Sequence, residues 1–188
     1  MSDGAASVRP LRPSEVGAFV GHLARQMGES GKDGAPHSGP RTVIDRDDTR
    51  ARIERDARIP LGEPGWERAW LAWVPEGDDP QRRERVIGHV DLRGGRLPAE
   101  MHRAVLGIGI ERSHWRRGLG ERLLRTAIEW ARAEPSLAWI DLFVFAENEP
   151  ARALYRKLGF EERGTVEDAF RLADGTRVAD VRMALKLR

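Results

Sequence analysis

Between residues 104 and 145 the sequence reads as a strand, a tight glycine turn, a helix and a second strand, and that unit limits what the rest of the chain can fold into. Ala104, Leu106, Ile108 and Ile110 alternate on one face of a strand. Gly118-Leu119-Gly120 permits sharp backbone curvature. Leu119, Leu123, Ala127, Ile128 and Trp130 then recur as an inward helix face until Pro135 ends the helix. Leu137 to Phe145 is the most hydrophobic run, which predicts a central strand.

The flanking segments fit around this unit. Val8 to Leu11 predicts a short edge strand, and Ser14 is read as the cap of a helix carrying Phe19, Val20, Leu23 and Met27. Residues 28–46 form a long loop, and an arginine-rich helix covers residues 48–59 before Pro60. Ala69–Val74 and Val86–Leu92 predict a hairpin around the polar tip PEGDDPQRRE. A helix over residues 149–158 has Pro150 in its first turn and Gly159 past its end, and strands near 160–170 and 177–187 close the chain. The expected class is α+β (mixed α/β), a mixed central sheet with helices on both faces. No repeat or composition break divides the chain, so residues 1–188 are read as a single domain.

The absence of cysteine excludes a disulfide scaffold, thiolate metal sites and a cysteine nucleophile, and no metal site is expected. No apolar run approaches the ~20 residues of a membrane span, and the first residues lack the pattern of a signal peptide. The expected location is therefore the cytoplasm, away from membranes. All but three of the 32 basic residues are arginine, and acidic residues are interleaved with them to a net charge of +2. That mixture predicts an ion-paired surface and argues against a nucleic-acid partner.

Two stretches carry chemistry. Glu111 to Glu121 joins a strand to a helix, where free N–H groups and the helix dipole favour an anion and Arg116 and Arg117 add positive charge. The turn is no Walker loop, because no G-K-[ST] follows, and Leu123 replaces the third glycine of a dinucleotide fingerprint. Alone, the G-x-G turn fits a structural role equally well. In the second stretch, Asn148 can cap a helix or bond a ligand amide, and Tyr155 lies two turns further on the same face. Read alone, Tyr155 is a core aromatic.

Together these stretches resemble the GNAT superfamily of acyl-CoA-dependent N-acetyltransferases. W-R-R-G-L-G stands where that superfamily usually has [QR]-x-x-G-x-[GA], and N-x-x-A-x-x-L-Y-x-K-x-G-F matches its second signature. Trp115 departs from the usual Gln or Arg, a change that backbone contacts to pyrophosphate would tolerate. The resemblance implies a GNAT-like acyltransferase fold that moves an acetyl group from acetyl-CoA, its cosubstrate, to a primary amine. It implies that the strand at 106–110 splays from the strand at 140–145 to admit the pantetheine arm. Ile108, Gly109 and Ile110 would pair with that arm, and Arg116, Arg117, Gly118, Leu119, Gly120 and Glu121 would hold the pyrophosphate. Asn148 and Ala151 would border the pantetheine end, and Tyr155 would protonate the departing thiolate, a transfer that a phenol of pKa ~10 can make.

Relatives frequently place a base within the strand at 104–110, where this chain has Val105 instead of a carboxylate. Glu111 and His102 are the nearest candidate bases, with His89 a third. The resemblance also places the acceptor beneath the long loop and the final hairpin. Glu29, Asp33, His37, Asp45, Asp47, Asp48, Glu167, Asp168 and Asp174 stand there against Lys32, Arg41, Arg46, Arg171 and Arg177. Carboxylates at such a mouth favour a small cationic amine or amino acid derivative. A protein N-terminus, as in ribosomal-protein acetylation, a non-catalytic acyl-CoA sensor and a homodimer remain open.

Overall fold

The computed structural model describes residues 6–32, 37, 43–76, 84–172 and 174–188. Strands β1 (Ser7–Pro10), β2 (Glu67–Pro75), β3 (Glu84–Gly94), β4 (Arg103–Ile110), β5 (Trp139–Phe145), β6 (Glu161–Arg171) and β7 (Arg177–Lys186) make one sheet in the order β1-β2-β3-β4-β5-β7-β6. Helices α1 (Val16–Glu29), α2 (Arg46–Asp56), α3 (Leu119–Ala133) and α4 (Glu149–Lys157) complete the fold. The β4–β5 pair is parallel, and every other neighbouring pair is antiparallel. This is the mixed α/β arrangement expected from the sequence.

Strand periodicity sorts the core into two layers. Trp70, Ala72, Val90, Leu92 and Leu106 pack with Leu123, Leu124 and Ala127 of α3, whereas Ala69, Leu71 and Trp73 pack with Phe19, Val20 and Ile53 of α1 and α2. A register shift between Ala72 and Trp73 pairs Gly88 with Ala72 but Val86 with Trp73. The extra residue, Ile87, reverses the alternation, so Val86 joins the α1 layer and Ile87 the α3 layer. His89 and Asp91, paired with Leu71 and Ala69, fall on the α1 side.

The α1 stripe buries Val16, Phe19, Val20 and Leu23 as the periodicity predicts, and also His22 and Gln26. Ser14 does not cap this helix. It lies inside a 3₁₀ turn, Pro13–Glu15, and α1 begins at Val16. The second helix starts earlier than predicted, because Asp45 is its cap: the carboxylate accepts from the backbone N–H groups of Asp47 and Asp48, both at 2.9 Å. Asp45→Ala should lower stability by about 1 kcal/mol, which thermal melting would record as a fall of roughly 2–4 °C.

Residues 77–83 of the β2–β3 tip, most of residues 33–42 and Ala173 lie outside the described residues. Among the described residues no helix is long and apolar enough to cross a membrane.

Candidate active site

The parallel seam between β4 and β5 is short. Its pairs are Arg103 with Trp139, Ala104 with Ile140 and Val105 with Asp141, and beyond Val105 the two strands separate. Glu111 donates its N–H to Ile87 O at 2.9 Å, which fixes the direction of the alternating backbone groups. Odd-numbered residues of β4 bond to β3, whereas Leu106, Ile108 and Ile110 turn theirs into the gap. The backbone groups of Ile108 and Ile110 therefore face the gap, whereas the N–H and C=O of Gly109 belong to the β3 ladder opposite His89. Trp115 closes the end of the gap, its indole donating to the Ile110 carbonyl at 2.8 Å.

After β4 the chain turns through Arg116 at φ 59° and Gly118 at φ 76°. Gly118 occupies the N-cap of α3 in the left-handed region, and no side chain caps this helix. Its first N–H groups are thus presented beside exposed Arg116 and Arg117. Glu121 offers backbone only, because its carboxylate is turned to Arg125 at 2.8 Å and Lys157 at 2.6 Å. Gly120 lets α4 approach: a Cβ there would lie 3.3 Å from Leu154 Cδ2 and 3.4 Å from Ile110 Cδ1.

Asn148 caps α4, its Oδ1 accepting from Ala151 N–H at 3.3 Å. That bond engages the Ala151 N–H, so Ala151 has none to offer a ligand, and Asn148 has only its side-chain amide N–H groups. Tyr155 is buried against Phe160, with ring centroids 5.9 Å apart, and burial pushes its hydroxyl up to about 12. The group therefore stays protonated across the neutral and mildly alkaline range.

The candidate bases separate. His102 is exposed at the start of β4, where its carbonyl accepts from Ala138 and Trp139, at the closed end of the seam. At about 3.3 Å per residue, the length of β4 keeps it roughly 25 Å from the opening end, so it belongs to no shared site with Glu111. Glu111 is 3% exposed. Its Oε1 lies 3.0 Å from both His22 Nδ1 and Arg25 Nε, and its Oε2 lies 3.0 Å from Arg85 Nη2. Burial acts to raise its pKa, but the His22 hydrogen bond and the two guanidiniums outweigh it and hold the carboxyl below the usual range. A carboxylate so stabilised is a weak base.

His22 Nε2 in turn meets His89 Nδ1 at 3.0 Å, and His89 Nε2 lies 3.6 Å from Asp91 Oδ1. Burial, His22 and Arg93 push the His89 pKa well below its ordinary value, leaving the ring neutral. The sequence reading missed His22, Arg25, Arg85 and Asp91. Its available signal was a His and a Gln four residues apart inside the apolar stripe of α1. The acidic and histidine groups form a chain rather than a cage, and among the described residues no three such groups could hold a metal ion.

The acceptor rim also divides. Glu29 accepts from Arg112 N–H at 2.8 Å and so fastens the β4–α3 loop to α1. Asp45 is occupied as a cap, and Asp168 pairs with Arg177 at 3.0 Å. His37 reaches Glu147 at the end of β5, with Nδ1 to Oε1 3.2 Å, and stands near Asp174 of the final hairpin. His37, the end of β5 and the final hairpin therefore converge, and Glu147 joins the rim unforeseen. Asp47, Asp48 and Glu167 remain exposed carboxylates, while Asp33 and Arg41 lie outside the described residues.

Residues 44–160 match the profile of the acetyltransferase (GNAT) family. Among curated proteins, the L-amino acid N-acetyltransferase AaaT of Escherichia coli (strain K12) is 38% identical over 85 residues, 43% of this chain and 49% of that protein. The match thus spans about half the length of that relative. The N-alpha-acetyltransferase RimI of Mycobacterium tuberculosis (strain ATCC 25618 / H37Rv) is 28% identical over 142 residues, 70% of this chain and 84% of that one. Among solved structures, a GNAT superfamily phosphinothricin acetyltransferase from Sinorhizobium meliloti, in complex with AcCoA, superposes with a TM-score of 0.76 at 15% identity, covering 97% of this chain and 88% of its own.

Proposed function

The chain belongs to the GNAT acetyltransferase family, and from that membership we propose that it transfers the acetyl group of acetyl-CoA directly to a primary amine. The observation that carries this reading is the opening of the sheet after Val105 and Asp141, which leaves Ile108 and Ile110 with backbone groups turned into a gap. An extended amide-bearing arm can add to such an edge as a strand does. At the mouth of the gap, the uncapped start of α3 suits a pyrophosphate. The solved Sinorhizobium meliloti relative, in complex with AcCoA, supports the same cosubstrate.

The 188 residues include no cysteine, which excludes a ping-pong route through a protein thiol, and direct attack is the simpler path. Tyr155 hydrogen-bonds and protonates the departing thiolate, and the amine enters from the His37, Glu147 and Asp174 side. The acceptor is a small cationic amine or an amino acid derivative, drawn by the exposed rim carboxylates. The name of the Escherichia coli relative, an L-amino acid N-acetyltransferase, favours the amino acid class. The Mycobacterium tuberculosis relative gives a specific alternative, a protein N-terminus. The same reading takes residues 1–188 as one domain.

Thiol release from acetyl-CoA, measured across amino acids, polyamines and short peptides, tests this. Release is expected with a small amine. Peptide N-termini acetylated far faster would establish the alternative, and acetyl-CoA binding without release to any amine would mark a sensor.

A further inference from the structure

Asp91 and Gly107 face each other across the β3–β4 ladder, as do His89 and Gly109. A Cβ at Gly107 would stand 2.6 Å from Asp91 Oδ1, and one at Gly109 would stand 2.6 Å from His89 Cε1. Both side chains therefore lie across the bare β4 backbone. Gly107 is the second residue past the end of the seam, so the Asp91 carboxylate sits where the gap begins.

That carboxylate is ion-paired but not saturated. Arg93 Nε lies 2.9 Å from Oδ2, yet Oδ2 is buried and accepts no hydrogen bond. A chain of rings stands beside it: His22 Nδ1 lies 3.0 Å from Glu111 Oε1, His22 Nε2 lies 3.0 Å from His89 Nδ1, and His89 Nε2 lies 3.6 Å from Asp91 Oδ1. The unsaturated carboxylate can accept a further donor, and an ammonium group supplies one.

Resting on the functional reading above, we infer that Asp91 and His89 receive the amine acceptor over Gly107 and that Asp91 is the base that takes its proton. One N–H bond of the ammonium breaks toward Asp91 Oδ1, and the freed nitrogen lone pair forms the bond to the thioester carbon. The C–S pair leaves on sulfur, which takes the Tyr155 proton, and the second proton shed by the newly bonded nitrogen restores the Tyr155 hydroxyl through solvent. His22 and Glu111 are positioning residues that hold the His89 ring beside Asp91. The charged and titratable groups around Asp91 are Arg93 and His89 on β3, Glu67 on β2 with Arg52 of α2, and His22 behind His89.

The test is kcat/KM against pH for Asp91→Asn, with acetyl-CoA binding followed by thermal shift. Gly107→Ala serves as a second variant, because its methyl displaces the same carboxylate without removing it. Both should lose at least about tenfold near pH 7, recover as pH approaches the amine's own pKa, and keep the acetyl-CoA shift. An unchanged pH profile in both variants, or a loss equal at every pH, overturns the inference while leaving the functional reading intact. Wild-type protein that acetylates no amine overturns that reading and this inference with it.

Discussion

Valine at Gly118 or Gly120 should abolish the rise in melting temperature that acetyl-CoA gives the wild-type protein, with the unliganded fold retained. A ligand at 100 times its Kd stabilises by about 2.7 kcal/mol, so its loss is easily read. The two substitutions act differently. At Gly118 nothing lies within 4 Å of a new Cβ, so valine fits in space. The φ of 76° is what it cannot keep, and leaving the left-handed region re-aims the N–H groups at the start of α3. At Gly120 the backbone is helical but the space is shared with Leu154 and Ile110, so a branched side chain pushes α4 from the gap or fills its mouth. Undiminished acetyl-CoA binding in both variants would remove the coenzyme from this end of β4.

Tyr155→Phe should lower kcat by two orders of magnitude or more, an acid's usual contribution being about 10²–10⁴, while acetyl-CoA binding changes little. Phenylalanine keeps the packing on Phe160 and removes only the hydroxyl. Because burial holds that hydroxyl at about 12, the wild-type rate should show no fall from Tyr155 ionisation between pH 8 and ~10. The sign is fixed by the direction: a raised pKa keeps the proton on the acid until higher pH. Wild-type turnover in the variant would return Tyr155 to the role of a core aromatic.

What could be read from sequence was whatever local rules govern. Gly118, Pro150 and Gly159 punctuate α3 and α4, and the apolar run through Ile140 marks an inner strand of the sheet. Local rules also misled. Ser14 carries the right side chain for a cap but sits within a 3₁₀ turn, while Asp45, read as a steering charge, is spent on two backbone N–H groups. His102 was near Ile108 in sequence and is far from the opening in space, because a strand converts eight residues into its full extended length. Asp91 and His89 were hidden for the opposite reason. Their meaning depends on Gly107 and Gly109 in another strand, on His22 in a helix 67 residues before His89, and on pairing with Leu71 and Ala69, which sets the face they take.

The short parallel seam has a mechanical consequence. On one side β1 to β4 form an antiparallel leaf, on the other β5, β7 and β6 form a second, and three residue pairs join them. Compliance in a bonded lattice concentrates where the fewest bonds resist, so a small rotation of one leaf against the other is borne at Ala104 and Ile140, both wholly buried. Because the strands have already parted beyond that point, such a rotation would widen the gap without breaking a β4–β5 ladder bond. The geometry is that of a clasp, with two antiparallel leaves joined along a short spine.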